Sequence, residues 1–173
     1  MSVTESVLSA VSVSVSNMTE HDLLEVVDIE QSCGLSRWGW DAYHAELQSG
    51  HRNLMLVARV NSPEGNNNES VVGYIVARLA ADELHINNAA VREAYRRSGV
   101  ATALLDRIVE EGERAGAYAA FLEVRAGNSA AQALYEGCGF AVVGRRPNYY
   151  SAPVEDALIM SLQFKRERLI CSP

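Results

Sequence analysis

The chain has 173 residues, 22 Asp and Glu against 15 Lys and Arg, a net charge of −7 and 48% apolar residues. That length suits one domain over residues 1–173 with a single core, and the acidic balance argues against a surface that tracks nucleic-acid phosphates while leaving room for a cationic partner. Three scattered cysteines and four scattered histidines offer neither a disulfide framework nor metal-ligand spacing, and no apolar run approaches the ~20 residues needed to span a membrane.

In chain order, "VLSAVSVSVS" (Val7 to Ser16) ends in apolar–Ser alternation and reads as a first, half-buried strand. Thr19 and Asp22 resemble a capping box that opens a helix through "HDLLEVVDIEQ", ending near Gly34. The loop "GLSRWGW" follows, and Asp41 is read as the cap of a short helix that ends at Gly50. "NLMLVARV" and "SVVGYIVARL" predict a hairpin around the turn-rich "NSPEGNNNE". "LHINNAAV" predicts a strand ending near Val91, and then comes a helix with Ala101, Leu104, Leu105, Ile108 and Gly112 or Ala115 on one side, closed by Gly116. A buried strand "AAFLEVR", a helix from Asn128 to Gly137, and strands near Phe140 to Arg146 and Asp156 to Phe164 complete a mixed α/β pattern. Residues 166–173 read as a charged, frayed tail. Met1 to Asn17 lacks the basic start and apolar block of a secretory signal, so the expectation is a soluble, cytoplasmic protein without membrane contact.

Two segments carry chemistry. "YRRSGVA" lies where a strand gives way to a helix, so unpaired backbone N–H groups and the positive end of the helix dipole converge on one spot suited to an anion. Gly99 keeps that backbone approachable, while Arg96 and Arg97 can add charge-assisted bonds. The segment lacks the lysine of a P-loop and the G-x-G-x-x-G of dinucleotide folds, which disfavours ATP and NAD; an ordinary basic loop at a helix start is the plain alternative. In "FLEVR", Glu123 shares a strand face with Phe121 and Arg125, and Asn128, Ala131 and Tyr135 form one stripe on the following helix. Spacing alone leaves plainer readings open: Glu123 paired with Arg125 or another neighbour, Tyr135 a core tyrosine, Asn128 only a helix cap.

"YRRSGVA" followed two elements later by "LEVRAGNSAAQALYEGCGF", then "RRPNYY" and "EDALIMSL", resembles the GNAT acyltransferases, and within them the ribosomal-protein-alanine N-acetyltransferases (RimI). The resemblance is close from Asn88 to Leu162 and looser from Met18 to Leu84. It implies the GNAT fold, a single mixed central sheet flanked by helices, and acetyl-CoA as cosubstrate with no metal. It also implies that Ala89, Ala90 and Val91 meet the pantetheine arm through backbone groups, that Arg97, Ser98, Gly99, Val100, Ala101 and Thr102 cradle the phosphates with Arg96 beside them, and that Asn128 holds the arm. Ala101 departs from the family, where many relatives carry Gly, and the 61–68 loop is long and polar.

Attack of an amine on a thioester needs one proton removed from the amine and one delivered to the departing thiolate. The resemblance implies Glu123 as the base, through water, and Tyr135 as the acid. It places Trp38, Tyr149 and Tyr150 around the acceptor. The implied reaction is acetylation of the N-terminal amine, on Ala in the first instance, of a ribosomal small-subunit protein by a monomer or weak dimer that binds no nucleic acid. Transfer to lysine or a small amine, and a non-catalytic acyl-CoA-binding module, are the alternatives. A nucleophilic Cys138 finds no nearby His in the sequence.

Overall fold

Runs of β-branched and apolar residues bounded by turn formers build the strands, and 3.6-residue apolar spacing builds the helices between them. The computed structural model describes residues 12–33, 38–50, 52–61 and 69–164. It runs β1 (Val13–Asn17), α1 (Leu23–Ser32), α2 (Gly39–Gln48), β2 (Asn53–Asn61), β3 (Glu69–Ala80), β4 (Glu83–Val91), α3 (Val100–Arg114), β5 (Ala119–Arg125), α4 (Ser129–Gly137), β6 (Ala141–Ser151) and β7 (Val154–Gln163). The strands form one sheet in the order β1-β2-β3-β4-β5-β7-β6. Every neighbouring pair is antiparallel except β4 with β5.

That parallel pair positions the site. Its ladder runs from Glu83 opposite Ala119 to Ile86 opposite Leu122 and stops there, although β4 continues to Val91 and β5 to Arg125. The β3–β4 register breaks at the same level, with Val76 opposite Asn88 and Ala77 opposite Ile86, so Asn87 is an extra residue. Such a bulge bends a strand and re-aims its side chains. The carboxyl ends of β4 and β5 therefore diverge, leaving the β5-facing edge of Asn88 to Val91 without a strand partner among the described residues.

The core is split by the sheet. On one face Leu104, Leu105 and Ile108 of α3 pack with Ile75, Leu84, Ile86, Leu122 and Met160. On the other, Leu23, Val26 and Ile29 of α1 and Tyr43 of α2 pack with Val57, Tyr74 and Val76. Helix α3 lies close to β4 because Gly112 has no side chain: a Cβ there would stand 2.7 Å from Leu84 Cδ2. Of the two residues that could end the α3 stripe, Gly112 is buried and Ala115 exposed.

Several boundaries differ from the sequence reading. The Thr19–Asp22 pair forms as expected, with the Thr19 N–H donating to Asp22 at 2.7 Å, but it opens a short 3-10 turn ahead of α1. Asp41 lies inside α2 and is not its cap, and Trp40, read as loop, occupies the first turn of α2 with its ring stacked on His44. Strands β6 and β7 are longer than predicted. The first part of the Val7 to Ser16 strand, part of the loop before Trp38, nearly all of the 61–68 loop and the 166–173 tail lie outside the described residues.

Candidate active site

The anion-binding expectation rests on backbone geometry, and the geometry is specific. After the turn at Glu93–Tyr95 the chain passes through two left-handed residues, Arg97 at φ 63° and Gly99 at φ 86°, while Ser98 Oγ donates to the Tyr95 carbonyl at 2.5 Å. Among the described residues, the first N–H of α3 with a backbone acceptor is that of Ala103, which returns to the Gly99 carbonyl at 2.9 Å. Six consecutive N–H groups, Arg97 to Thr102, are therefore left without a backbone acceptor at the end of α3 where the helix dipole is positive. Val100 contributes its amide only, since its side chain is buried in the core. Arg96 is anchored to the end of β4, with Nε donating to the Val91 carbonyl at 3.3 Å and Nη2 standing 3.4 Å from Cys33 Sγ.

This turn forms one end of a cleft of about 830 Å³ that follows the divergence of β4 from β5. Ala89, Ala90 and Val91 line one wall, and Asn128, Ala131 and Tyr135 of α4 line the other. Arg96, Arg97, Gly99, Ala101 and Thr102 line it as well. Asn128 proves to be a true N-cap, its Oδ1 accepting from the Ala131 N–H at 3.1 Å, and the cap role and the cleft role coexist. Tyr135 is half-buried with its ring 6.0 Å from Phe140. Burial, reinforced by the neighbouring Tyr150 and Cys138, pushes its phenol up to about 12, so it keeps its proton throughout the neutral range.

Glu123 does not line that cleft and lies on the face of the sheet that carries α1 and α2. Leu122 and Val124 point into the core beneath α3, so Glu123 faces the side of α1 and α2 with Phe121, whose ring stacks on His85. Its partner is not Arg125 but Arg146 of β6, at 3.3 Å; Arg125 pairs with Glu155 at 3.0 Å. The tyrosine pair adjoins these charges: the Arg146 guanidinium lies 5.5 Å from the Tyr149 ring and that of Arg125 lies 4.1 Å from the Tyr150 ring. Burial raises the Tyr150 phenol, with Arg125 opposing. Base and acid candidates thus stand on two sides of one opening, with Tyr149 and Tyr150 beside the base. The described residues hold no group of three or more His, Cys, Asp or Glu able to bind a metal.

The acetyltransferase (GNAT) family model matches residues 23–140. The chain belongs to the GNAT family. Among curated relatives, the "[Ribosomal protein bS18]-alanine N-acetyltransferase" of Escherichia coli (strain K12) is 32% identical over 150 residues, covering 86% of this chain and 95% of that protein. A putative enzyme of the same name from Bacillus subtilis is 33% identical over 147 residues, covering 84% and 92%. Among solved structures, the crystal structure of the ribosomal-protein-S18-alanine N-acetyltransferase from Escherichia coli aligns with TM-score 0.75 and 31% identity over 91% of this chain and 99% of that one. Ard1 from Thermoplasma volcanium aligns with TM-score 0.78 and 26% identity over 90% and 99%. The fold expected from the motifs is the fold found, and as a GNAT member the chain is an acyl-transfer enzyme.

One buried polar cluster beside the site escaped the sequence reading. Glu30 of α1 is fully buried, and its carboxylate accepts from the N–H groups of Trp38 and Gly39 at 2.8 and 3.0 Å, capping α2 from a distance. Tyr43 O–H donates to the same carboxylate at 2.8 Å, Asn88 Nδ2 donates to the Tyr43 oxygen at 2.9 Å, and the phenol oxygens of Tyr43 and Tyr74 are 2.9 Å apart. Desolvation raises both phenols well above the ordinary range, which keeps the pair neutral. A sequence signal existed: Glu30 falls on the core-facing stripe of Leu23, Val26 and Ile29, where an acid must find several donors. Trp38 itself packs on Tyr43, ring centroids 5.4 Å apart.

Proposed function

We propose that this enzyme transfers the acetyl group of acetyl-CoA directly to the N-terminal α-amine of a ribosomal small-subunit protein, Ala being the preferred first residue. The observation that carries this reading is the divergence of β4 from β5, with Tyr135 packed on the α3 face of the sheet and Glu123 on the face of α1 and α2. The six free amides from Arg97 to Thr102 and the left-handed Gly99 suit a pyrophosphate, and the open edge of Ala89 to Val91 suits an extended amide-bearing arm. Acetyl-CoA supplies an acyl carbon activated by a thiol leaving group. Glu123 takes the proton of the attacking amine through water, Tyr135 gives its phenolic proton to the departing sulfur, and Asn128 orients the arm through the amide nitrogen that its capping bond leaves free.

Amine chemistry supports this acceptor class. An α-amine with pKa ~7.8 is about one tenth neutral at pH 7, whereas a lysine near ~10.4 is neutral at about one part in a few thousand, so a single carboxylate without metal or covalent nucleophile serves the former. The curated relatives' names point to the same acceptor, and the acidic surplus of 22 against 15 suits a basic partner. Mass spectrometry of acetyl transfer onto peptides with free Ala, Ser, Gly or Met N-termini, onto N-terminally blocked lysine peptides and onto polyamines tests it. Transfer confined to free N-termini and strongest on Ala is the expected result; preference for lysine or polyamine sinks the acceptor assignment, and acetyl-CoA binding with no transfer at all sinks the catalytic one.

The donor side has its own test. Gly99→Val is expected to weaken acetyl-CoA binding by about tenfold or more, read by calorimetry. A Cβ at Gly99 would meet no atom within 4 Å, so the substitution acts through the backbone. At φ 86° a β-branched residue is strained by roughly 1–2 kcal/mol, and relieving that strain turns the amides away from their common focus. Unaltered affinity would dissociate the turn from the phosphates.

A further inference from the structure

The acceptor must approach Glu123 from the face that carries α1 and α2, and on that face the opening has two sides. One is β5, where Glu123 is the first residue beyond the last rung of the ladder, Ile86 opposite Leu122. The other is β4, where Asn88 lies just past the same rung and turns toward the same face, its Nδ2 on the Tyr43 oxygen at 2.9 Å. What fixes Asn88 is what fixes the start of α2. The buried Glu30 carboxylate accepts from Gly39 N–H on Oε2 and from Trp38 N–H and Tyr43 O–H on Oε1, and Asn88 Nδ2 comes within 3.4 Å of Oε1.

We propose that Glu30 is a positioning residue for the acceptor amine: one buried carboxylate ties the first turn of α2 to the diverging end of β4 and thereby sets the wall that faces Glu123. The inference rests on the reading that an acceptor amine is deprotonated at Glu123. A carboxylate is suited to the task because it accepts on both oxygens and holds no proton, so it can bind three or four converging donors at once. Glutamine at the same position keeps the shape but offers one accepting oxygen and brings an NH2 against N–H and O–H donors. The start of α2 and Asn88 then lose their common anchor, while neither the Arg97 to Thr102 turn nor α4 hydrogen-bonds to Glu30; the network meets the donor cleft at Tyr74, which Tyr43 holds through its hydroxyl.

The test is steady-state kinetics of Glu30→Gln on a free-Ala N-terminal peptide, together with calorimetric binding of acetyl-CoA. The expected result is an acceptor KM raised about tenfold, with kcat at saturating peptide within about threefold of the unsubstituted enzyme and acetyl-CoA affinity within about twofold. A general loosening of the fold would move donor affinity together with acceptor KM, and that result overturns the proposal. Tyr43→Phe is the second variant, for the case where Glu30→Gln does not fold. It keeps the ring packing on Trp38 and Tyr74 and removes only the hydroxyl, and an acceptor KM raised about threefold is expected. An unmoved KM in Tyr43→Phe, or in a folded Glu30→Gln, overturns the role of Glu30. Absence of transfer to the peptide by the unsubstituted enzyme overturns the underlying reading instead.

Discussion

Replacing Tyr135 by Phe is expected to lower kcat by about 10²–10³-fold while acetyl-CoA affinity stays within about twofold, because the change removes one proton donor and little else. The ring survives, so its packing against Phe140 is retained, and no described residue hydrogen-bonds to the hydroxyl whose loss could disturb the fold. The sign of the pH dependence follows from burial. A general acid works in its protonated form, and a phenol pushed up to about 12 stays protonated at every pH below that. The alkaline limb of the kcat profile should therefore show no fall from this group up to about pH 10, the ordinary phenol value. Steady-state rates at saturating donor and peptide, paired with calorimetry, decide the matter: unchanged kcat in the Phe variant would remove Tyr135 from the chemistry.

The elements that carry the site were the legible ones, for physical reasons. Strand β5 matches its predicted span because an apolar run paired with β7 along its whole length has sharp edges, and α4 starts where Asn128 could cap it. Helix α3 showed itself through the stripe that became its buried face. Strand β6 was read short because it is an edge strand with nearly every side chain exposed, so hydrophobic alternation has nothing to register. Asp41 misled because an acid near a helix start looks like a cap, whereas α2 takes its cap from Glu30 on another helix, a contact no local window contains. The Glu123 partner was also non-local: Arg146 arrives on β6, two strands away across β7. Most consequential, the point where the β4–β5 ladder ends depends on a bulge opposite β3, and it is this divergence that turns two motifs into one site.

Glu123→Gln is expected to lower kcat/KM by about 10²–10³-fold at pH 7, and the loss should shrink as pH rises. Gln preserves the volume and can still meet the Arg146 guanidinium that stands 3.3 Å from the carboxylate, but it cannot take a proton. A variant without a base reacts only with amine that is already neutral, and its rate should rise close to tenfold per pH unit below ~7.8 and flatten above. With Glu123 acting as the proposed base on the bound amine, the unsubstituted enzyme should depend on pH less steeply over the same interval. The Arg146 contact sharpens the argument. The Arg146 guanidinium meets one carboxylate oxygen at 3.3 Å, which holds the charge of the candidate base while its other oxygen can receive the amine's proton through water. Profiles of kcat/KM between pH 6 and 9 for both proteins, on a free-Ala peptide, measure this directly; parallel profiles with equal rates would show that the amine loses its proton without Glu123, and would return the carboxylate to the plainer role of holding β5 to β6.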